Sequence, residues 1–165
     1  MNFTYSMVSS AVSNICNSIK EDKTQYDYVC GIIRGGLVPA TCIAYHLKLP
    51  MLTVNISTRD FDSIEIPTSV KKAYNQGKKI LFVDDIIDSG KTVEILNNLF
   101  WQKPVDIAAL VYNISQPYKC KYFYIGINRD TNKEWVNFYW DDGEPHESNN
   151  IATVSYTHLR AHETR

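Results

Sequence analysis

Three carboxylates, two hydroxyls, a glycine and a lysine crowd one stretch of the chain, Asp84-Asp85-Ile86-Ile87-Asp88-Ser89-Gly90-Lys91-Thr92. Its second half has the makings of an anion cradle. Gly90 lets the backbone approach a ligand closely, Ser89 and Thr92 supply hydroxyls, and the N–H groups that open a helix lack internal partners and point outward. Asp84 and Asp85 are acceptors beside that cradle. They suit sugar hydroxyls, or a divalent cation held through water. Phosphate, diol and metal together describe a ribose phosphate. The ATP-binding P-loop, GxxxxGK[ST], is excluded by spacing: counting back from Gly90, its first glycine would be residue 85, which is Asp. An ordinary solvated loop is the plainer alternative, but it would leave adjacent carboxylates repelling each other at the end of a buried strand.

The elements that must position these groups are legible on both sides. Residues 80–83 (ILFV) are a short apolar run bounded by turn signals, which predicts a strand buried on both faces. Val93, Leu96 and Phe100 fall at i, i+3 and i+7, which predicts an amphipathic helix. In open α/β sheets the loop between such a strand and helix lies where ligands bind. A second unit of the same kind comes earlier. Residues 28–33 (YVCGII) predict the first core strand, residues 34–40 (RGGLVPA) a glycine-rich turn, and a helix follows through Ala44 and Leu47. Paired glycines permit unusual dihedrals, and Arg34 can grip phosphate oxygens in a fork.

Residues 51–56 and 107–112 predict further core strands, and residues 122–127 another strand or an edge. Met7, Ala11, Ile15 and Ile19, with Val8 and Val12 beside them, predict an N-terminal packing helix. Residues 57–70, with Arg59, Asp60, Asp62, Glu65 and Pro67, read as a long polar loop, and Gln76-Gly77-Lys78 as a turn. His46 reads as a packing residue on the helix after the RGG turn. The expected fold is α/β, a mostly parallel sheet flanked by helices. The strands at 28–33, 51–56, 80–83 and 107–112 should run parallel, with both glycine loops opening at one sheet edge.

Composition narrows the class. The chain has 165 residues, 44% apolar and 21% charged, as expected of a globular domain. A net charge of −1 carries no footprint for nucleic acid. No signal peptide and no membrane-spanning run is visible. Cys16, Cys30, Cys42 and Cys120 form no CxxC, and three sit in apolar patterns, which suggests buried thiols in a reducing, cytoplasmic setting. One domain is expected over residues 1–153, with a small C-terminal hood at about 128–150. Residues 154–165 (VSYTHLRAHETR) read as a non-native tail.

VDDIIDSGKT resembles the phosphoribosyl-pyrophosphate (PRPP) motif of type I phosphoribosyltransferases, and RGGLVPA the pyrophosphate loop of their purine branch, most closely the xanthine-guanine and hypoxanthine enzymes. WVNFYWD resembles the hood segment of the same enzymes. The resemblance covers residues 29–141. It implies transfer of a 5-phosphoribosyl group from PRPP to a 6-oxopurine, with release of pyrophosphate and with Mg²⁺ as cofactor. By the same resemblance Asp84, Asp85, Ser89, Gly90, Lys91 and Thr92 hold PRPP, and Asp84 and Asp85 also the metal shell. Arg34, Gly35 and Gly36 hold pyrophosphate, and Asp88 is the catalytic base opposite N7. Trp135 stacks on the base while the Val136 backbone reads its edge. The implied partners are PRPP, the purine and further copies of the chain, as a dimer or tetramer, with no nucleic acid and no membrane. Relatives that use 6-oxopurines place a lysine just after the strand matching residues 107–112. Here no lysine occurs before Lys119, and Asn113 or Gln116 is expected to donate to the purine oxygen instead, since an amide carries both donor and acceptor. A PRPP-binding regulator of the same fold, or a transferase for another base, is the alternative.

Overall fold

The computed structural model describes residues 1–57 and 63–141. Arg59, Asp60 and Asp62, the hood beyond residue 141 and the tail at 154–165 lie outside the described residues.

In chain order the elements are β1 (Asn2–Phe3), α1 (Tyr5–Glu21), β2 (Tyr28–Ile33), α2 (Leu37–Leu47), β3 (Met51–Ser57), β4 (Ser63–Glu65), α3 (Thr68–Asn75), β5 (Ile80–Ile87), α4 (Lys91–Leu99), β6 (Asp106–Asn113), β7 (Tyr122–Ile127) and β8 (Asn137–Phe138). Six strands form one sheet in the order β4-β3-β2-β5-β6-β7. All neighbours in it are parallel except β4, which pairs antiparallel with β3 at the edge. Alternation along the strands divides the core. Val29, Leu81, Val83, Ala108 and Leu110 pack with Ala11, Val12 and Ile15 of α1 and with Ala40 and Ile43 of α2. The intervening Cys30, Ile32, Phe82, Ile107 and Ala109 cluster with Val70 and Ala73 of α3 and with Val93 and Leu96 of α4. A parallel sheet covered by helices on both faces calls for near-continuous apolar runs in its central strands, and residues 80–83 of β5 and 107–111 of β6 supply them. Among the described residues no helix is long and apolar enough to cross a membrane.

Several expectations need correction. The central strand does not end at Val83. β5 runs on through Asp84 and Asp85 to Ile87, because Ile86 and Ile87 still pair with Val111 and Tyr112 of β6. The acidic pair therefore sits on sheet backbone and not on a loop. Residues 57–70 are not one loop either. Ile64 pairs with Ile56, and α3 starts at Thr68, directly after Pro67. Lys71 and Lys72 lie exposed on that helix. His46 is exposed and does not pack; its Nδ1 lies 2.9 Å from the Cys42 carbonyl of its own helix.

The hood is tied to the start of the chain. β8 pairs with β1 in a separate two-stranded sheet, Asn2 opposite Asn137 and Phe3 opposite Phe138. The Asn137 N–H donates to the Met1 carbonyl at 2.9 Å and the Tyr139 N–H to the Phe3 carbonyl at 3.1 Å. Phe3 and Phe138, both fully buried, meet with ring centroids 5.1 Å apart. All four cysteines are free, and Cys16, Cys30 and Cys120 are buried. Burial pushes the Cys30 and Cys120 thiols up to about 12, so at neutral pH both are protonated core groups.

Gly36 shows how tightly the first glycine turn is set into the sheet. A Cβ there would fall 2.3 Å from the Val83 carbonyl oxygen, 2.7 Å from that of Ile32 and 3.0 Å from the Asp84 Cα. All three are backbone atoms of β2 or β5, so nothing can rotate aside. Gly36→Ala is therefore expected to cost about 1–3 kcal/mol, the usual range for overpacking. Urea denaturation reads this directly, and an unchanged midpoint would show that α2 can lift off the sheet without cost.

Candidate active site

The chain runs from β2 outward to β3, then returns past β2 to β5. The connections leaving β2 and β5 thus diverge, and a crevice at the carboxyl ends of such strands is where open α/β sheets bind ligands. α2 and α4 both begin there, each behind a glycine. The cleft measures about 580 Å³. Arg34 and Gly35 line it from the β2 side, and Asp84, Asp85, Asp88, Ser89, Gly90, Lys91 and Thr92 from the β5 side. Trp135 and Val136 line it from the hood. Gly36, expected to hold pyrophosphate, does not reach the cleft wall; it is buried against the strands beneath.

The two loops interlock. A Cβ on Gly35 would lie 2.0 Å from Asp85 Oδ2, so the carboxylate occupies the space that a side chain would need. Asp84 Oδ1 accepts from the Asp85 N–H at 2.9 Å, and Asp85 Oδ1 from the Ile86 N–H at 2.8 Å. Burial pushes the Asp85 carboxyl above the usual carboxylate range, and the charge of Asp141 adds to this. Hydrogen bonding with Asp84 and from the Ile86 amide offsets only part. A cation beside this pair would relieve the cost of the buried charge.

Mg²⁺ is the cation to test against these donors. Among the described residues, no group of three or more His, Cys, Asp or Glu side chains is arranged to hold a metal. Mg²⁺ does not require such a cage. It commonly keeps several waters and takes one or two carboxylates together with substrate phosphate oxygens. Asp84 and Asp85 fit that donor set.

The turn expected to cradle an anion leads directly into α4. Gly90 takes a left-handed φ of 78° at the N-cap of α4 and brings no side chain of its own to cap the helix. Ser89 Oγ accepts from the Lys91 N–H at 3.3 Å. Gln116 folds over this turn, since a Cβ on Gly90 would lie 2.3 Å from its Oε1. The Gln116 amide is engaged with its own loop: Oε1 accepts from the Tyr118 N–H at 2.7 Å, and Nε2 donates to the Tyr118 carbonyl. Asn113 is only 6% exposed. Its Nδ2 donates to the Asp88 carbonyl at 2.8 Å, while its Oδ1 accepts from the Ser115 N–H and Oγ. The two amides expected to stand in for the lysine therefore brace loops, and neither lines the cleft.

Trp135 is 61% exposed on the hood side of the cleft. Trp140 and Phe138 also line the cleft and stack on each other, with centroids 4.9 Å apart and planes 7° from parallel. Arg129 is a cleft residue that sequence reasoning missed. Its Nε donates to Asp88 Oδ1 at 2.9 Å and its Nη2 to Asp88 Oδ2 at 3.3 Å. It follows β7 in a polar run with no periodicity, and its partner is 41 residues away, so no local signal marks it.

Residues 6–143 match the family described as the phosphoribosyl transferase domain. The chain is 32% identical over 126 residues to the xanthine-guanine phosphoribosyltransferase of Cereibacter sphaeroides, covering 73% of this chain and 72% of the relative. It is also 32% identical over 123 residues to the xanthine-guanine phosphoribosyltransferase of Desulfotalea psychrophila, covering 73% of each. Among solved structures, the purine phosphoribosyltransferase of Pyrococcus horikoshii superimposes with a TM-score of 0.68 at 22% identity, over 90% of this chain and 98% of the other. A Neisseria gonorrhoeae protein with bound ppGpp superimposes with a TM-score of 0.70 at 22% identity, over 87% and 91%. At these identities the solved structures share the fold.

Proposed function

The chain belongs to the phosphoribosyl transferase domain family, and from that premise we propose that it transfers the 5-phosphoribosyl group of PRPP to N9 of a 6-oxopurine, guanine, hypoxanthine or xanthine, and releases pyrophosphate. One observation carries the proposal. An acidic pair, a glycine-led helix start and an arginine–glycine loop meet in one cleft, with a third carboxylate on the β5 side and an exposed tryptophan on the hood side.

Each group then has a task. The amides and hydroxyls of Ser89 to Thr92 receive the 5′-phosphate. Asp84 and Asp85 accept from the ribose hydroxyls, and the same carboxylates would hold Mg²⁺ through its waters. When bound, that ion supplies charge neutralisation to the leaving pyrophosphate. Arg34 and the close backbone approach at Gly35 receive pyrophosphate. Displacement at the anomeric carbon develops oxocarbenium character, and the half-buried carboxylates that accept from the ribose would stabilise the positive charge as it grows. Trp135 covers the flat face of the base. Asp88 accepts the ring N–H as attack through N9 makes it acidic.

The test is a panel of guanine, hypoxanthine, xanthine and adenine, each with PRPP and Mg²⁺, read for pyrophosphate release and for the nucleoside monophosphate. At least one 6-oxopurine should react and adenine should not. Turnover of adenine with none of the other three would overturn the base assignment. Tight PRPP binding with no turnover of any base would make the chain a PRPP-binding regulator.

A further inference from the structure

Arg129 ties together three parts of the cleft. Its side chain holds Asp88 in a two-point fork, Nε to Oδ1 at 2.9 Å and Nη2 to Oδ2 at 3.3 Å. Its Nη1 donates to the Glu134 carbonyl and, at 3.5 Å, to that of Asn132, just before Trp135. Its own N–H donates to Asn113 Oδ1 at 3.2 Å, and Asn113 in turn holds the Asp88 carbonyl. The pair is partly buried in the cleft wall, with side chains 15% exposed for Arg129 and 31% for Asp88.

We infer that Arg129 is a specificity-determining residue: with Asp88 it presents a donor beside an acceptor, an edge that reads a heterocycle carrying a carbonyl oxygen next to a ring N–H. The inference rests on the transferase reading above. Guanidinium has five N–H groups and no acceptor. The fork takes Nε–H and one Nη2 hydrogen, and Nη1 points at two carbonyls. Among the described residues no acceptor engages the second Nη2 hydrogen. The Asp88 oxygens, each with one donor from Arg129, keep lone pairs for a ligand. A 6-oxopurine matches this edge. A 6-aminopurine sets its own N–H donors against a group that can only donate, and leaving such a mismatch buried costs about 10- to 100-fold in affinity. No other side chain expected to face the base does this work, since Asn113 and Gln116 are engaged with backbone groups of their own loops.

The test compares wild type, Arg129→Gln and Arg129→Lys by steady-state kinetics with hypoxanthine and adenine, alongside calorimetric PRPP binding. Arg129→Gln should raise KM for hypoxanthine and lower its kcat/KM by about 10- to 100-fold, and the preference for hypoxanthine over adenine should shrink by a similar factor. PRPP affinity should not change. Arg129→Lys keeps a charged donor facing Asp88 and serves if the glutamine variant does not fold; its preference should shrink in the same direction by a smaller factor. A clamp with no part in recognition would lower both bases together, so an unchanged preference in the folded variants overturns the inference and leaves the transferase reading standing. A wild-type chain that turns over no 6-oxopurine overturns both.

Discussion

Replacing Asp84 and Asp85 together by asparagine should abolish most PRPP binding while making the ligand-free chain more stable at neutral pH. The two effects have separate causes. Each carboxylate offers the ligand a charged acceptor, and hydrogen bonds to charged groups contribute about 1.5–3 kcal/mol each, so losing both should cost about 10²–10⁴ in affinity. The stability effect follows from Asp85. Burial, with the charge of Asp141 adding to it, raises its carboxyl in the folded chain. A group that binds its proton more tightly when folded favours folding below its unfolded pKa, and that contribution is lost as pH rises through the folded value. At neutral pH the cost of placing a charge at Asp85 therefore works against the fold, and asparagine removes that cost while keeping an acceptor for the Ile86 N–H. The melting temperature of the double variant should exceed wild type near pH 7, with the gap closing as the solution is acidified. Calorimetry with PRPP and thermal melts at two pH values check both arms. Unchanged PRPP affinity would remove the ribose role of the pair, and a lower melting temperature at pH 7 would show that the burial penalty has been misread.

Asp88→Ala should lower turnover by about 10²–10⁴, the usual contribution of a positioned general base, with PRPP affinity little affected. Its neighbours make the proposed ribose and phosphate contacts, and Asp88 faces the hood through Arg129. The structure adds a control. Asp88→Asn keeps an oxygen for the Arg129 fork but cannot take a proton, whereas alanine leaves the guanidinium held only by the Asn132 and Glu134 carbonyls. Both variants should lose turnover, and alanine alone should lower the melting temperature. An asparagine variant with wild-type kcat would show that Asp88 serves only to hold Arg129.

Much of this was legible because strong period signals coincided with the elements that matter. β2 and β7 fall where the apolar runs put them, and Arg34, Asp84, Asp88 and Gly90 reach one cleft because two strand–turn–helix units are adjacent in the sheet. The failures have physical reasons. The end of β5 was misplaced because carboxylates look like loop residues, yet β6 continues beside them and the ladder pairing holds. α3 was hidden because only Val70 and Ala73 are buried in a helix of eight residues, too few to show a period. Gly36 was read only as a pyrophosphate contact, and the nearness of the Val83 and Ile32 carbonyls gives it a packing requirement that depends on a neighbouring strand. Arg129 and Asp88 meet only through tertiary structure, and neither predicts the other.

The pairing of β8 with β1 has a consequence for how the molecule opens. The six-stranded sheet and the two-stranded ribbon share no strand. The ribbon can therefore unzip without breaking any rung of the larger sheet, and such a segment has its own opening free energy, distinct from global unfolding. Opening it must still withdraw Phe3, Val136 and Phe138 from the apolar cluster they share with Val29, Leu81 and Leu110, so the wall that carries Trp135 is coupled to the wall that carries Asp84 by side-chain packing and not by ladder hydrogen bonds.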